Sequence, residues 1–335
     1  NSMVIMMKIL TAEDVVRALP MKECIEAMKS GYIALVNGNA EVPLRTRLQI
    51  PSQNAVSLFM PAYVQDGSGT SLTVKVVSLF PGNHEKGLPY IQAAVLVLNP
   101  KTGEFIALLE GNSLTAIRTG ASSGAATDLL ARKNSQIAAI FGAGSQAKTQ
   151  LEAICTVRCI EQVWLYDTDP KKANLFVSGM RGKSPIPFDI RIAKNADQAI
   201  SNADIICCAT TANSPIFKDS FLKPGVHINA IGSYKPDMQE VPSATIARAL
   251  VVVDSRSATL SETGDLITPI HEGLFSENQI YAELGEIVMG NKPGRTNATQ
   301  ITYFKSVGLA IQDAKAAQLT LVNSELMNIG LTVPF

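Results

Sequence analysis

The sequence predicts an α/β protein: a doubly wound parallel sheet joined to a smaller α+β domain. The first observation is a set of six strand-like runs that alternate with helical patterns after residue 120, the order typical of a parallel sheet covered by helices. These runs are 137–141, 163–167, 188–192, 204–209, 226–231 and 250–254. The second observation is a glycine-rich turn directly after the first run, at Gly142 and Gly144.

Before residue 120 the strand-like runs follow one another without helices between them. The spacing of apolar residues predicts an early helix over Met21–Val36. Strands are then predicted at 55–64, 71–80, 90–98 and 104–109. The segment Asn-Pro-Lys-Thr-Gly at 99–103 joins the last two and is a strong turn signal. The first domain should therefore contain a mainly antiparallel sheet.

The composition of the chain changes near residue 120, which indicates a domain boundary. Small residues at 121–126 lead into a helix that we predict to end near Arg132. A final helical region is predicted over 303–317, and it is free to return to the first domain. We therefore place one domain at 1–120 plus 310–335 and the other at 121–309.

Charge and cysteine usage exclude several classes of function. Lysine plus arginine equal aspartate plus glutamate at 29 each, so no net field favours nucleic acid or an anionic membrane. The five cysteines form no CxxC pair and there are only three histidines, so no metal site is expected. Cys207 and Cys208 lie in an apolar run typical of a core, and thiols without a disulfide pattern favour a reducing cytoplasm. No apolar run reaches the roughly 18 residues needed to span a bilayer.

The glycine-rich turn carries the chemistry of a Rossmann-type dinucleotide site. The segment Gly-Ala-Gly-Ser-Gln-Ala at 142–147 follows a strand and opens an amphipathic helix. Gly142 suits the tight turn, Gly144 lets backbone approach a pyrophosphate, and Ala147 permits close packing of helix on sheet. The alternative is a glycine turn in an α/β fold that binds nothing.

An acidic residue at the end of the next predicted strand supports the dinucleotide interpretation. Asp167 is placed to accept hydrogen bonds from both ribose hydroxyls and to repel a 2′-phosphate, and no arginine follows immediately. NAD(H) is therefore the preferred cofactor, with NADP(H) possible. In the alternative interpretation Asp167 is a helix cap and Asp169 is equally eligible.

Several motifs, in order and spacing, resemble those of the ornithine cyclodeaminase/mu-crystallin family over nearly the whole chain. They are Pro-Leu-Arg-Thr at 43–46, Phe-Met-Pro-Ala-Tyr at 59–63, Phe-Pro-Gly-Asn at 80–83, Leu-Thr-Ala-Ile-Arg-Thr-Gly at 114–120, the 142–147 turn and Lys-Ser-Val-Gly at 305–308. The family includes ornithine cyclodeaminases, alanine dehydrogenases, cyclic ketimine reductases and mu-crystallin. The resemblance implies a homodimer that pairs through its first domain, which would also bind the substrate.

The resemblance further implies that Arg45, Lys75 and Arg118 hold a substrate carboxylate. Lys75 sits in the apolar run 72–77, where an unpaired ammonium is costly to bury, so an anionic ligand would compensate it. The planar fork of Arg118 suits a carboxylate. The alternatives are an exposed strand position for Lys75, and a surface charge or structural ion pair for Arg118.

One loop departs from the cyclodeaminases. They carry a loop aspartate that handles the substrate's amines, and this chain has Tyr234 there, in Gly-Ser-Tyr-Lys-Pro-Asp at 232–237. A phenol is a poor substitute for a carboxylate base, which favours plain reduction. Asp237 resembles the corresponding residue of mu-crystallin and related reductases, although a simple turn residue is equally compatible with the sequence.

The resemblance also implies a set of cofactor contacts, each of which could instead be a turn or cap residue. They are Thr119, Gly142, Gly144, Ser145, Gln146, Asp167, Thr210, Gly232, Ser306 and Val307.

Together these features predict a reductase of a small cyclic imino acid. The first choice of substrate is delta-1-pyrroline-2-carboxylate, and the second is piperideine-2-carboxylate. Lys75, or a water held by Asp237, is the candidate proton donor. The alternatives are an ornithine cyclodeaminase, an alanine dehydrogenase, and a ligand-binding protein that does not catalyse a reaction.

Overall fold

The computed structural model describes residues 6–335 and divides the chain into two compact units. The first unit comprises the chain up to Arg118 together with Leu309–Phe335, and the second unit is Thr119–Gly308. No helix in the described part of the chain is both long and apolar enough to span a membrane.

The described residues up to 130 form seven strands and three α-helices. They are β1 Met6–Leu10, α1 Ala12–Ala18, α2 Met21–Val36, β2 Ala40–Glu41, β3 Thr46–Ile50, β4 Ala55–Asp66, β5 Gly69–Leu79, β6 Ile91–Leu98, β7 Phe105–Glu110 and α3 Gly111–Leu130. The predicted helix at Met21–Val36 is confirmed. The helix expected from residue 121 begins at Gly111 instead, because the Glu110 carboxylate accepts the backbone N–H groups of Asn112 and Ser113 and caps it.

The next segment, up to residue 305, alternates strands and helices. The elements are β8 Ile137–Phe141, α4 Ser145–Val157, β9 Gln162–Tyr166, α5 Pro170–Met180, β10 Asp189–Ile192, α6 Ala196–Ile200, β11 Ile205–Cys208, β12 His227–Ala230, α7 Ser243–Arg248, β13 Leu250–Val253, α8 Arg256–Glu262, α9 Gly264–His271, β14 Ala282–Glu283, α10 Leu284–Val288 and β15 Thr302–Lys305. The chain ends with α11 Ala310–Leu326 and β16 Leu331–Pro334.

The first unit is built on an eight-stranded sheet in the order β16-β1-β7-β6-β5-β4-β2, with β3 also paired to β4. Among the strand pairs of residues 6–335 in this sheet, only β1–β7 is parallel, which confirms the predicted mainly antiparallel sheet. Small residues of α11, such as Ala310 and Ala314, pack with Met60 and Val64 of β4 in one core cluster. This packing brings the polar side chains of α11 close to β5.

The second unit is an all-parallel sheet in the order β10-β9-β8-β11-β12-β15-β13-β14, which confirms the predicted doubly wound fold. The helix predicted over 303–317 is wrong in its first part. Residues 302–305 form β15, between β12 and β13, and the helix begins at Ala310. All four residues of β15 are buried, and a strand buried on both faces lacks the alternation that would distinguish it from a helix.

Candidate active site

A groove of about 570 Å³ in the second unit lies beyond the carboxyl ends of β8, β9 and β11. Chain order along the sheet reverses between β8 and β11, and open α/β sheets bind dinucleotides at such a switch point. Gly142, Gly144, Asp167, Lys172 and Thr210 are among the residues that line it. Four of the predicted cofactor residues therefore meet in one groove.

The glycine-rich turn has the geometry that its residues require. Gly142 has φ +93°, and a Cβ there would lie 2.5 Å from the carbonyl oxygen of Ala209, so only glycine fits. Gly144 is the N-cap of α4, and nothing lies within 4 Å of the Cβ position that a side chain would occupy. Ser145 and Gln146 begin this 13-residue helix, whose N-terminus carries a partial positive charge. The turn thus has room for a pyrophosphate against the helix.

Asp167 holds the turn, and Asp169 is the helix cap. The Oδ2 atom of Asp167 accepts the N–H of Ala143 at 2.7 Å, and its Oδ1 atom accepts the N–H of Asp169 at 2.7 Å. The carboxylate of Asp169 accepts the N–H groups of Lys171 and Lys172 at the start of α5. The alternative that made Asp167 the cap is wrong, and each oxygen of its carboxylate retains a lone pair for a ribose hydroxyl.

The other predicted cofactor residues lie at strand ends and are tied to buried polar groups. Glu240 accepts the N–H and hydroxyl of Thr210 and the N–H of Gly232. Asp254 Oδ2 accepts the hydroxyl of Ser306 at 2.8 Å and the N–H of Val307 at 2.9 Å. Burial raises the pKa of Asp254, against the effect of these hydrogen bonds.

Thr119 begins the second unit, and its carbonyl oxygen accepts a hydrogen bond from the side-chain amide of Gln150 at 3.1 Å. One turn further back on α4, the Oε1 atom of Gln146 is buried without a hydrogen-bond partner in the part of the chain described.

Two of the three predicted substrate residues, Lys75 and Arg118, form a buried ion cluster in the first unit. Lys75 on β5 lies with its ammonium 2.7 Å from Oδ2 of Asp313 on α11. Arg118 on α3 donates from Nε to Oδ1 of the same carboxylate at 2.9 Å and from Nη1 to the side-chain carbonyl of Gln312. The three charged side chains are each at most 5% exposed. The exposed alternative for Lys75 and the surface alternative for Arg118 are therefore wrong.

Burial changes the acidity of Lys75. Desolvation lowers the pKa of its ammonium to about 7, and the neighbouring charges of Arg118 and, less strongly, Arg45 act in the same direction. Asp313 opposes them by raising this pKa. Arg45, half-buried just before β3, therefore acts electrostatically on the same group. The Asp313 carboxylate pairs with two cations, Lys75 and Arg118, so this cluster has the charge to attract a further anion.

The loop after β12 is exposed over residues 234–237. Tyr234 is 38% exposed, and the ammonium of Lys235 lies 5.6 Å from the centroid of its ring. Asp237 is exposed as well. In the first unit the nearest carboxylate to Lys75 is Asp313, which the sequence interpretation did not include.

Three buried carboxylates were missed from the sequence: Asp313, Glu240 and Asp254. Asp313 did leave a signal, since it stands with Gln312 in a run of alanines and isoleucine where a charge needs a partner. Glu240 and Asp254 left none, because their partners are backbone N–H groups brought together only by the sheet.

Three further titratable residues, His227, Cys207 and Cys208, lie in the core. His227 is fully buried, which confirms it as a core residue, and desolvation lowers its pKa to about 3. Burial raises the pKa of the Cys207 and Cys208 thiols well above their ordinary range, as expected for core cysteines. Among residues 6–335, no cluster of three or more potential ligands could hold a metal ion.

Comparison with known proteins agrees with this geometry. The chain is 43% identical over 314 residues to a Delta(1)-pyrroline-2-carboxylate reductase of Bacillus cereus, covering 92% of this chain and 95% of that one. It is 34% identical over 295 residues to the ketimine reductase mu-crystallin of Mus musculus, covering 88% and 89% of the two chains.

A solved structure is similar over the whole fold. The Thermococcus litoralis Delta(1)-pyrroline-2-carboxylate reductase, in complex with NADH and L-proline, superposes with a TM-score of 0.92 at 45% identity, covering 98% of this chain and 100% of that one. Residues 5–326 also match the ornithine cyclodeaminase/mu-crystallin family as a whole. The family predicted from the motifs is confirmed: this chain belongs to the ornithine cyclodeaminase/mu-crystallin family.

Proposed function

We propose that this protein reduces delta-1-pyrroline-2-carboxylate to proline with NADH. The observation that carries the proposal is the buried cluster in which the single carboxylate of Asp313 pairs with two cations, Lys75 and Arg118. Such a cluster suits one more carboxylate, that of a small imino acid. The 43% and 45% identical relatives, named as reductases of this substrate, support the choice.

The cluster would bind the substrate through its carboxylate. Two donors of Arg118 are engaged by Asp313 and Gln312, which fixes the plane of the guanidinium and leaves its other N–H groups for a ligand. Lys75 contributes its ammonium, and Arg45 is the third cation. Holding the carboxylate orients the imine carbon, and orientation together with exclusion of water would supply much of the rate.

The groove of the second unit would bind NADH, which supplies the hydride for reduction of the C=N bond. Gly142 and Gly144 would admit the pyrophosphate, with Ser145 and Gln146 at the helix N-terminus, and Asp167 would accept the ribose hydroxyls. Further contacts are proposed for Thr119, Thr210, Gly232, Ser306 and Val307.

Reduction of an imine needs at most one proton besides the hydride. An imine that arrives protonated needs no acid. For an unprotonated imine we propose Lys75 as the donor, because its pKa of about 7 matches neutral pH. A water held by the exposed Asp237 is the alternative donor.

We also propose that the protein is a cytoplasmic homodimer that pairs through its first unit. Exposed apolar side chains of that unit include Leu44, Leu48 and Leu88, which are 77%, 55% and 50% accessible. A partner that covers these side chains would remove their apolar surface from water. The cysteines form no disulfide within the described residues, which fits a reducing compartment.

A panel of NADH-oxidation assays tests the proposed reaction. The substrates are pyrroline-2-carboxylate, piperideine-2-carboxylate and pyruvate with ammonia, run beside ornithine with NAD. We expect the highest kcat/KM with pyrroline-2-carboxylate. Faster turnover of pyruvate with ammonia would instead identify an alanine dehydrogenase, and NADH binding without turnover of any substrate would identify a ligand-binding protein.

A further inference from the structure

Glu240 is a fully buried carboxylate that the proposed chemistry does not use, and it accepts four hydrogen bonds. Its Oε1 atom accepts the N–H of Thr210 at 2.7 Å and the hydroxyl of Thr210 at 2.8 Å. Its Oε2 atom accepts the N–H groups of Gly232 at 2.7 Å and Ser233 at 3.1 Å. Each oxygen thus serves a different segment of the chain.

These two segments are the ends of neighbouring strands. Thr210 follows β11, Gly232 follows β12, and the two strands are paired in the parallel sheet. The segments approach so closely that a Cβ on Gly232 would lie 2.2 Å from the carbonyl oxygen of Thr210 and 2.4 Å from Oε1 of Glu240. A single carboxylate therefore bridges the carboxyl edge of the sheet where the dinucleotide groove opens.

The backbone of Glu240 holds a third part of the groove. Its carbonyl oxygen accepts the N–H of Ile216 at 2.9 Å, and the preceding Gln239 donates its N–H to the carbonyl of Ala212 at 3.2 Å. Ala212 and Ile216 both line the groove, as Thr210 does. Displacement of Glu240 would consequently move one wall of the groove.

Buried groups behind Glu240 keep it in place. Oδ1 of Asp265 accepts the N–H groups of Glu240 at 2.7 Å and Val241 at 3.2 Å. Oδ2 of Asp265 lies 3.2 Å from the ammonium of Lys305, and both of these side chains are fully buried. Lys305 directly precedes Ser306, so this network also reaches the third strand end that carries predicted cofactor residues.

We propose that Glu240 is a positioning residue that sets the wall of the dinucleotide groove by holding Thr210 and Gly232 at a fixed separation. The inference rests on one part of the proposed function, the binding of NADH in the groove. Glutamine at this position would offer one acceptor oxygen and one NH₂ group, and the NH₂ would face N–H donors on one of the two segments. That segment would have to move away, since an unpaired buried donor is costly.

The test compares Glu240→Gln and Glu240→Asp with a matched control, Asp204→Asn. Asp204 is a buried carboxylate at the opposite end of the same strand β11, where it accepts the N–H groups of Gln136 and Ile137 and pairs with Lys223. The dissociation constant of NADH is measured by its fluorescence, with the melting temperature and the KM values of both substrates.

We expect both Glu240 variants to bind NADH about tenfold or more weakly, the size of one lost charged hydrogen bond, with little change in KM for the imino acid. Asp204→Asn should lower the melting temperature while its affinity for NADH stays within about twofold of the unmutated value. A folded Glu240→Gln with unchanged NADH affinity contradicts the inference, as does equal weakening by Asp204→Asn. Absence of NADH binding in the unmutated protein contradicts the proposed function itself.

Discussion

The ammonium of Lys75 lies 2.7 Å from the Asp313 carboxylate, and the two side chains are only 2% and 1% exposed. A buried ammonium without a partner would lose its proton or destabilise the fold. Asp313 therefore keeps Lys75 charged up to a pH of about 7, and this charge is what a substrate carboxylate would meet.

The first prediction concerns pH. The pKa of Lys75 is lowered to about 7, so its charge is present below that pH and is lost as the pH rises through it. We expect kcat/KM for the imino acid to fall above pH 7. Asp313→Asn removes the carboxylate that raises this pKa, so the fall should move to lower pH and kcat/KM at pH 7 should drop by about tenfold or more.

The control for this prediction is Asp66→Asn, which breaks another ion pair of the same helix. Asp66 lies 2.7 Å from the ammonium of Lys315 on α11. Since Asp66 does not contact Lys75, the pH profile of this variant should keep the unmutated midpoint. Comparing variants on one substrate cancels the titration of the substrate itself. An Asp313→Asn profile with its midpoint at or above the unmutated value would exclude Lys75 as the titrating group.

The second prediction concerns the guanidinium of Arg118. Arg118→Lys keeps the charge but loses the fork that engages both Asp313 and Gln312. Losing a charged hydrogen bond to the substrate should cost roughly 1.5–3 kcal/mol, so kcat/KM should fall about ten- to a hundredfold. NADH affinity, measured by fluorescence in the same samples, should be retained. Unchanged steady-state kinetics would remove Arg118 from the substrate site.

The third prediction concerns cofactor choice. Asp167 should make NADH preferred over NADPH, and Asp167→Ala should raise KM for NADH more than for NADPH. Lys172 lines the same groove, so Lys172→Ala should lower kcat/KM with NADPH more than with NADH. Asp169→Asn is the control, because asparagine also caps a helix and leaves Asp167 in place. Equal kcat/KM for NADH and NADPH in the unmutated protein would contradict the assignment of Asp167 as the residue that selects NADH.

The fourth prediction concerns the reaction class and the loop after β12. Tyr234 stands where cyclodeaminases carry an aspartate, so we expect little proline and ammonia from ornithine with NAD. If Lys75 is the proton donor, Asp237→Asn should keep kcat within about threefold of the unmutated value. A larger loss of kcat in Asp237→Asn would instead identify the water held by Asp237 as the proton donor. Ornithine turnover that equals or exceeds imine reduction would overturn the reductase assignment.

The fifth prediction concerns assembly. The double variant Leu44→Asp and Leu48→Asp places charges on exposed apolar positions of the first unit and should convert the dimer to monomers. Leu175→Asp in the second unit is the control, since Leu175 is equally prominent at 72% exposure. Sedimentation velocity measures the oligomeric state of both variants and of the unmutated protein. A monomeric unmutated protein, or dissociation by Leu175→Asp, would contradict pairing through the first unit.

Much of the fold could be predicted because its signals are local. The six strand-like runs correspond to β8 to β13, and the spacing in Met21–Val36 predicted α2. The short strands β2, β3 and β16 were not predicted, because their residues are mostly exposed and show no clear alternation. For β15 the residues were noted but assigned to a helix, since a fully buried strand lacks the period that distinguishes it.

By itself, the sequence determined the family, the parallel sheet and the glycine turn at Gly142, because each was inferred from short patterns whose residues are neighbours in the chain. Only the tertiary structure decided what compensates the charges of Lys75 and Arg118. The sequence suggested that an anionic ligand compensates them. In the structure a carboxylate of the protein itself already does so, that of Asp313, which is 195 positions from Arg118. The reason is physical: a buried charge is stabilised by whatever the fold brings within hydrogen-bond distance, and packing of α11 against β5 is a long-range event that no local pattern encodes.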